Sequence, residues 1–206
     1  MDLVFPDVKQ SFGRYIASQT DMDDAIRFCH KRNVVVQAGG HCGVWPIRLA
    51  KMFKRVYTFE PDFKNFKCLV SNIKEPNIFP ARGVLGAYPH FVGLHLNEKN
   101  TGGHWVKGDG DVPVYTIDGL HLNELDLIIL DVEGSELFAL QGAARSIEQF
   151  SPVIMFEDNG NFEFKGGYPA QDVYDLMESF GYKHVSSIGN DKIWVKHESG
   201  SVTIDV

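Results

Sequence analysis

The sequence is poor in cysteine, has no cluster of basic residues and contains no long apolar run. Its three cysteines, Cys29, Cys42 and Cys68, lie far apart in the sequence and form no CxxC pair. This pattern argues against a disulfide framework or a zinc site, so we expect reduced thiols in an intracellular, cytoplasmic protein. The formal net charge is −7 and the Lys and Arg residues are scattered, which argues against a nucleic-acid partner.

The features of membrane and secreted proteins are also missing. No apolar run approaches the roughly 20 residues that span a bilayer. The first ten residues, MDLVFPDVKQ, have neither the positive region nor the apolar region of a secretory signal. We therefore expect no membrane partner.

The sequence does contain enough apolar material for one sizeable core. It has 206 residues, of which 44% are hydrophobic, so we predict a single domain over residues 1–206. Helical and strand patterns alternate along most of the chain, which predicts an α/β fold with a mostly parallel sheet between two layers of helices. The helices are predicted at about 21–32, 45–54, 62–73, 135–149 and 169–180. The strands are predicted at 34–38, 56–59, 80–85, 127–130 and 151–158, and are followed by an antiparallel hairpin at about 182–196.

Residues 86–113 break this alternation. They are rich in Gly, His and Asn and include the segment NEKNTGGHWVKGDGD. A weak strand is expected at 91–96, and the rest is predicted to be a long excursion from the sheet. Because long loops in compact domains are commonly functional, we predict that this segment is a lid or a substrate-binding loop.

The ends of the predicted strands carry the candidate functional residues, because parallel sheets bind ligands outside the carboxyl ends of their strands. After the first strand, Gly39, Gly40 and Gly43 form a GGxxG turn. Such a turn serves either a tight strand-to-helix connection or the close approach of a ligand to the main chain. Glu60 ends the second strand, 21 residues after Gly39 (60 − 39), where an acidic residue can hold ribose hydroxyls. Together these features favour nucleoside binding over a surface Glu beside a plain turn.

Two further strand ends are acidic. Asp131 and Glu133 follow the apolar run LIIL, and a charge directly beyond a buried strand usually has a partner, such as a cationic ligand. Glu133 is also suited to the start of the following helix. After the next strand come Glu157, Asp158 and Asn159, which with Asp131 offer oxygen ligands for Mg²⁺ or Ca²⁺. We favour a polar loop that holds substrate or water, and keep a divalent cation as the less favoured alternative.

Four segments together resemble a known protein family. They are VVVQAGGHCGVWPIRLAK, VYTFEPDFKNFKCLVSNI, TIDGL and LDLIILDVEGSELFALQGAARSIEQFSPVIMFED. In their order and spacing, over about residues 33–158, they resemble the FkbM family of S-adenosylmethionine-dependent methyltransferases. The resemblance implies the class I methyltransferase (Rossmann-like) sheet of seven strands, whose last hairpin is reversed, with S-adenosyl-L-methionine as the cofactor.

The resemblance also implies roles for individual residues. The glycine turn would lie along the methionine part of the cofactor, Glu60 would hold the ribose hydroxyls, and Asp131 and Glu133 would face the amino and sulfonium groups. Gln37 stands where the family usually has Asp, and its amide oxygen would accept a hydrogen bond from the ammonium group without charge. His41 stands where the family usually has Asn. The cofactor-binding set implied in this way is Gln37, Ala38, Gly39, Gly40, His41, Gly43, Glu60, Pro61, Asp62, Leu85, Gly86, Asp131 and Glu133, with Val84 to Gly86 at the adenine edge.

The expected activity is O-methylation of a hydroxyl on a small molecule or a sugar. A hydroxyl acceptor must lose its proton, and our candidates for the base are His104 first, then Asp131 and Glu133. One alternative is a non-catalytic or degenerate module that binds the cofactor or another nucleoside. A weaker alternative is an NAD-dependent dehydrogenase, which shares the glycine turn and the acidic residue. The chain has little beyond the expected core, so either an open pocket or a homo-oligomer would have to accommodate the acceptor.

Overall fold

The structure is a computed structural model that describes residues 3–6 and 22–197. Its strands are β1 (Val34–Ala38), β2 (Arg55–Glu60), β3 (Ile78–Arg82), β4 (Val84–Leu85), β5 (Phe91–Val92), β6 (Leu94–His95), β7 (Trp105–Val106), β8 (Val112–Tyr115), β9 (Leu127–Leu130), β10 (Val153–Glu157), β11 (Tyr182–Ile188) and β12 (Asp191–Lys196). Its α-helices are α1 (Asp23–Arg27), α2 (Val44–Leu49), α3 (Phe63–Asn72), α4 (Glu136–Gln141), α5 (Ala144–Phe150) and α6 (Ala170–Ser179).

A seven-stranded sheet forms the centre, in the order β11-β12-β10-β9-β1-β2-β3. The strands from β10 to β3 are parallel, whereas β12 runs antiparallel to both of its neighbours. This confirms the α/β sheet with a C-terminal antiparallel hairpin. The reversed β12 also distinguishes the sheet from the dinucleotide-binding order 3-2-1-4-5-6 of the dehydrogenases.

Apolar side chains cover both faces of the sheet, because the central strands lie between two layers of helices. Along β1, Val34, Val36 and Ala38 pack into the core on the side of α4, α5 and α6, whereas Val35 packs with α1 and α2. All four residues of β9 are buried. This arrangement accounts for the continuous apolar runs of β1 and β9, since strands covered on both faces do not alternate with polar residues.

The first described helix is shorter than the predicted span of 21–32. It ends at Arg27, and position 21 lies outside the described residues. The Asp126 carboxylate accepts hydrogen bonds from the backbone N–H groups of Asn33 (2.7 Å) and Val34 (2.9 Å), which draws the chain into β1. The predicted helix was therefore too long at its C-terminal end. A local sequence pattern does not reveal a contact between residues that lie 93 positions apart.

The predicted helix at 135–149 is two helices, α4 and α5, which are separated at Gly142 and Ala143. A Cβ atom at Gly142 would lie 2.0 Å from the Gly86 carbonyl oxygen, so two backbones meet here. The Asp118 carboxylate then accepts from the N–H of Ser146 (2.8 Å) and so caps α5 from another part of the chain. The interruption therefore depends on tertiary contacts.

Residues 86–113 contain more structure than a loop. The strands β4, β8 and β5 form a small sheet, and β6 pairs with β7 in a second one. We call residues 94–106, which comprise β6, β7 and the turn between them, the lid hairpin. No helix in the two described ranges is long and apolar enough to cross a membrane.

The tightest backbone contact at the end of the sheet joins Gly39 to Asp131. Gly39 has a φ of +88°, and a Cβ atom there would lie 2.1 Å from the Asp131 carbonyl oxygen. The Asp131 N–H donates to the carbonyl of Ala38 (3.1 Å), and the N–H groups of Gly39 and Gly40 both donate to the carbonyl of Phe59. These contacts bring the ends of β1, β2 and β9 together.

We predict that Gly39→Ala destabilises the protein much more than Gly160→Ala. Gly160 has a similar φ of +76° but open space around it, so its replacement should cost only the left-handed backbone strain of about 1–2 kcal/mol. Gly39→Ala adds the collision with Asp131 and should cost at least about 2 kcal/mol more. Urea unfolding of both variants measures the difference, and equal losses would show that the Gly39 contact is not tight.

Candidate active site

A cavity of about 480 Å³ opens at the carboxyl ends of β1, β2, β9 and β10. It lies where the direction of chain connections reverses in the sheet, which is the ligand-binding position of such folds. The sequence-derived candidates that line it are Ala38, Gly39, Gly40, His41, Glu60, Pro61, His104, Asp131 and Glu133. The structure therefore brings most of the predicted site into a single cavity.

Glu60 is almost fully buried at one end of this cavity. Its Oε2 accepts from the N–H of His41 (2.7 Å), and its Oε1 accepts from the N–H of Asp62 (2.9 Å) and from Nδ2 of Asn65 (3.3 Å). Burial raises the pKa of Glu60 to about 7, while these hydrogen bonds oppose the rise. Glu60 is thus a fixed carboxylate that titrates near neutral pH.

Three more carboxylates meet at the other end of the cavity. Oxygen atoms of Asp131, Glu133 and Glu157 lie within 4.8 Å of one another, and Asp191 also lines the cavity. Burial raises the pKa of Asp131 well above its usual value, and repulsion from Glu157, Glu133 and Asp191 adds to the rise. Burial and the neighbouring Glu133 likewise raise the pKa of Glu157. At this end of the cavity, the negative charge of the carboxylates is therefore not balanced by positive charge.

The turn after β9 is held in an uncommon conformation. Glu133 has a φ of +53°, a backbone conformation that residues other than glycine rarely adopt. Glu136, fully buried at the start of α4, accepts from the N–H groups of Val132 (3.2 Å) and Gly134 (2.9 Å) and stabilises the turn. Lys165 forms an ion pair with Glu133 and lies 5.4 Å from the centre of the Trp105 ring.

The lid hairpin is fastened over the Glu60 end. Its turn residue Thr101 bonds to Nε2 of His41 through its hydroxyl (2.9 Å) and accepts from Nδ2 of Asn65 through its carbonyl (2.8 Å). At its other end, Trp105 stacks on His95 with ring centres 3.8 Å apart. The lid hairpin therefore forms one wall of the cavity.

His104 lines the cavity, and one of its ring nitrogens already has a hydrogen-bond donor. Its Nδ1 accepts from the backbone N–H of Asn97 (2.9 Å), so the neutral ring carries its proton on Nε2. Burial lowers the pKa of His104, which favours this neutral form. In this arrangement the ring offers a hydrogen-bond donor, which differs from the role of base that the sequence suggested first.

Gln37 is not where the family resemblance puts it. Its side chain is fully buried below the glycine turn, where Oε1 accepts from the Thr58 hydroxyl (2.6 Å) and Nε2 donates to the carbonyl of Ala38 (3.1 Å). It does not belong to the described cavity lining. The structure therefore does not bring Gln37 to the cavity, because its amide oxygen accepts from Thr58 inside the sheet.

Four other candidates also lie outside the described lining. Gly43 faces Leu69, and Asp62 caps α3 by accepting from the N–H groups of Lys64 and Asn65. Leu85 belongs to the core, and Gly86 donates to the carbonyl of Tyr115. Of the segment Val84 to Gly86 that the resemblance places at the adenine edge, Val84 lines the cavity, together with the preceding Gly83.

The carboxylate cluster differs from the cation-ligand set considered from the sequence. Asp158 is turned away, because its carboxylate accepts from the Tyr174 hydroxyl and from the N–H of Gly160. Glu133 takes its place beside Asp131 and Glu157. Asn159 donates to Glu157 (2.8 Å) and so supports the cluster from behind.

Sequence reasoning missed four residues that shape the site: Asn65, Thr101, Lys165 and Asp191. Asn65 lies in the quoted FEP segment, five positions after Glu60, and only the cap of α3 brings the two side chains together. Lys165 lies in a π-helical turn, Phe162–Gly166, a rare conformation that is frequent at functional sites. Asp191 begins the reversed strand β12, and its position depends on the register of that strand with β10.

Three solved structures of other proteins are similar to this chain. The crystal structure of methyltransferase FkbM from Methylobacillus flagellatus KT is similar, with 20% identity and a TM-score of 0.54 over 79% of this chain and 43% of that one. Trm5b from Pyrococcus abyssi has 16% identity and a TM-score of 0.45 over 87% and 48% of the two chains. Precorrin-6y C5,15-methyltransferase from Geobacter metallireducens GS-15 has 9% identity and a TM-score of 0.48 over 84% and 85%.

This chain spans less than half the length of the first two of these proteins. A search of curated protein sequences finds no match. The family model of the methyltransferase FkbM domain matches residues 38–184, a range that includes the glycine turn, Glu60 and the carboxylate cluster. The chain belongs to the FkbM methyltransferase domain family.

Proposed function

We propose that the protein transfers a methyl group from S-adenosylmethionine to a hydroxyl group of a small molecule or a sugar. The observation that supports this proposal best is the single cavity that joins Glu60 at one end to Asp131, Glu133 and Glu157 at the other. When bound, the cofactor supplies an electrophilic methyl group on a sulfonium, together with an ammonium group.

The residues of the cavity fit such a ligand. Glu60 retains one acceptor position on Oε2, because a carboxylate offers about four positions and the three hydrogen bonds described above fill the others. At the far end, mutual repulsion helps to raise the pKa of Asp131, and a cation there would relieve it. Asp131 would hold the positive end of the cofactor, and the glycine turn would border its amino-acid part.

The same carboxylates are suited to removing a proton from a hydroxyl acceptor. A carboxylate whose pKa is raised is a stronger base than an exposed one. Burial, the first cause of the raised pKa of Asp131, remains when a cation is bound nearby, whereas Glu133 is already paired with Lys165. His104 would orient the acceptor by donating from Nε2, since Nδ1 is engaged by Asn97.

The charge of the cavity favours a small acceptor over a polyanion. The carboxylates at the strand ends and the net charge of −7 oppose the approach of a phosphate backbone. The lid hairpin also limits the space above Glu60. We also propose that a second copy of the chain completes the acceptor site.

Calorimetric titration tests cofactor binding directly. We predict that S-adenosylmethionine and S-adenosylhomocysteine bind at pH 8, that NAD does not, and that affinity falls about 10-fold at pH 6. The fall follows because the pKa of unliganded Glu60 is about 7, and a proton would take its one remaining acceptor position.

The matched control is Glu60→Gln, whose weaker binding should change less with pH in this range, since only the carboxylates at the ammonium end can still titrate. Absence of binding by both sulfur ligands at millimolar concentration would exclude the methyltransferase proposal. Binding without methyl transfer to any member of a panel of sugars, alcohols, phenols and RNA would instead support the non-catalytic module. Transfer to RNA alone would contradict the small acceptor.

We predict that Asp131→Asn makes the unliganded protein more stable at pH 8. The folded-state pKa of Asp131 is raised, so its contribution to stability is complete below about pH 4 and is lost as the pH rises. Removing the charge should add about 0.5–2 kcal/mol to the free energy of unfolding at pH 8 and almost nothing at pH 4. Urea unfolding at both pH values measures this, with exposed Asp109→Asn as the control. A loss of stability of Asp131→Asn at pH 8 would contradict the proposed repulsion between Asp131 and the neighbouring carboxylates.

The same Asp131→Asn variant should lower kcat by about 10²–10⁴-fold, because it removes the proposed base. His104→Ala should lower kcat by less than about 10-fold, as expected for a residue that only orients the acceptor. Initial rates with an identified acceptor at saturating cofactor provide the comparison. A larger loss of kcat for His104→Ala than for Asp131→Asn would indicate that His104 is the base.

A further inference from the structure

The acceptor capacity of Glu60 is nearly used up by the protein itself. Oε1 accepts from both Asp62 and Asn65, and Oε2 accepts from His41. Of about four acceptor positions on a carboxylate, only one remains, on Oε2. A ribose, however, presents two neighbouring hydroxyl groups, and each buried hydroxyl hydrogen needs an acceptor. Glu60 alone therefore serves only one of them.

A second acceptor lies beside Glu60. Asn65 lines the cavity and is 1% exposed, and its Oδ1 has no hydrogen-bond partner among the described residues. Buried polar atoms are nearly always paired in folded proteins, so this oxygen needs an explanation. A hydroxyl group of a ligand in the cavity would supply the missing donor.

The orientation of the Asn65 amide is fixed by its neighbours. Its Nδ2 donates to Oε1 of Glu60 (3.3 Å) and to the carbonyl oxygen of Thr101 (2.8 Å), both of which are acceptors. A flipped amide would set its oxygen against two other oxygens and lose both hydrogen bonds. The free atom of Asn65 is therefore its oxygen.

We propose that Asn65 is the second ribose-binding residue, and that the two hydroxyls are shared between Oε2 of Glu60 and Oδ1 of Asn65. This inference depends on the proposed S-adenosyl cofactor. It makes Asn65 a determinant of specificity for a ligand with two neighbouring hydroxyls. Because the same amide bonds to Thr101 of the lid hairpin, it also joins the cofactor site to the lid.

The test is a cycle of protein and ligand changes measured by calorimetry at pH 8. Wild type and Asn65→Ala are titrated with S-adenosylhomocysteine and with its 2′-deoxy and 3′-deoxy analogues. In wild type, removal of either hydroxyl should weaken binding about 5- to 100-fold, since each removal leaves a buried acceptor unpaired. In Asn65→Ala, one of these losses should fall below about 3-fold, while the other persists through Glu60.

Deoxy losses in Asn65→Ala equal to those in wild type would overturn the proposal, since Asn65 would then act only through Glu60 or the lid. No binding of S-adenosylhomocysteine to wild type would overturn the proposed function and this inference together. Thr101→Val is the matched control, because it removes the hydroxyl bonded to His41 but keeps the carbonyl that Asn65 uses. Its deoxy losses should equal those of wild type.

The fold of each variant is checked by its thermal unfolding and circular dichroism. If Asn65→Ala does not fold, Glu60→Gln provides the reciprocal measurement in wild-type background at position 65. There, the loss for the hydroxyl bound by Asn65 should persist while the loss for the other hydroxyl is reduced. Loss of both effects in Glu60→Gln would assign both hydroxyls to Glu60 and overturn the proposal.

Discussion

The site depends on the close approach of Gly39 to the backbone of Asp131. A side chain at position 39 would meet the Asp131 carbonyl at 2.1 Å, so only glycine lets the end of β1 lie directly against the end of β9. The paired N–H groups of Gly39 and Gly40 on Phe59 bring the end of β2 to the same point. Glu60 and Asp131 consequently face one cavity from β2 and β9, the two strands on either side of β1. The glycines are required by this packing, and the room for a ligand follows from it.

The carboxylates around this cavity destabilise the unliganded protein. Asp131, Glu157 and Glu60 all have raised pKa values, and burial is the first cause in each case. Such an arrangement is unfavourable without a ligand that supplies positive charge or hydroxyl donors, and active sites commonly sacrifice stability in this way. Lys165 offsets part of the charge by pairing with Glu133. The lid hairpin forms a wall of the cavity beside these groups.

The sequence predicted the sheet and the ends of its strands well, because these follow from local patterns. The run of Leu127–Leu130 identifies a buried strand, so the position of Asp131 at its mouth followed directly. The direction of a side chain and the contacts between distant segments were harder to predict from the sequence. Gln37 was misplaced because its partner, Thr58, lies on another strand. Asn65 was overlooked because a helix cap folds it back onto Glu60.

A crystal structure of the protein with S-adenosylhomocysteine would show the position of the ligand directly. We expect the adenosine ribose to lie between Glu60 and Asn65, and the amino group to lie within hydrogen-bond distance of Asp131. We also expect Thr101 to remain bonded to His41 and Asn65 above the ribose. A ligand bound outside this cavity, or one whose ribose contacts neither Glu60 nor Asn65, would contradict the proposed cofactor site.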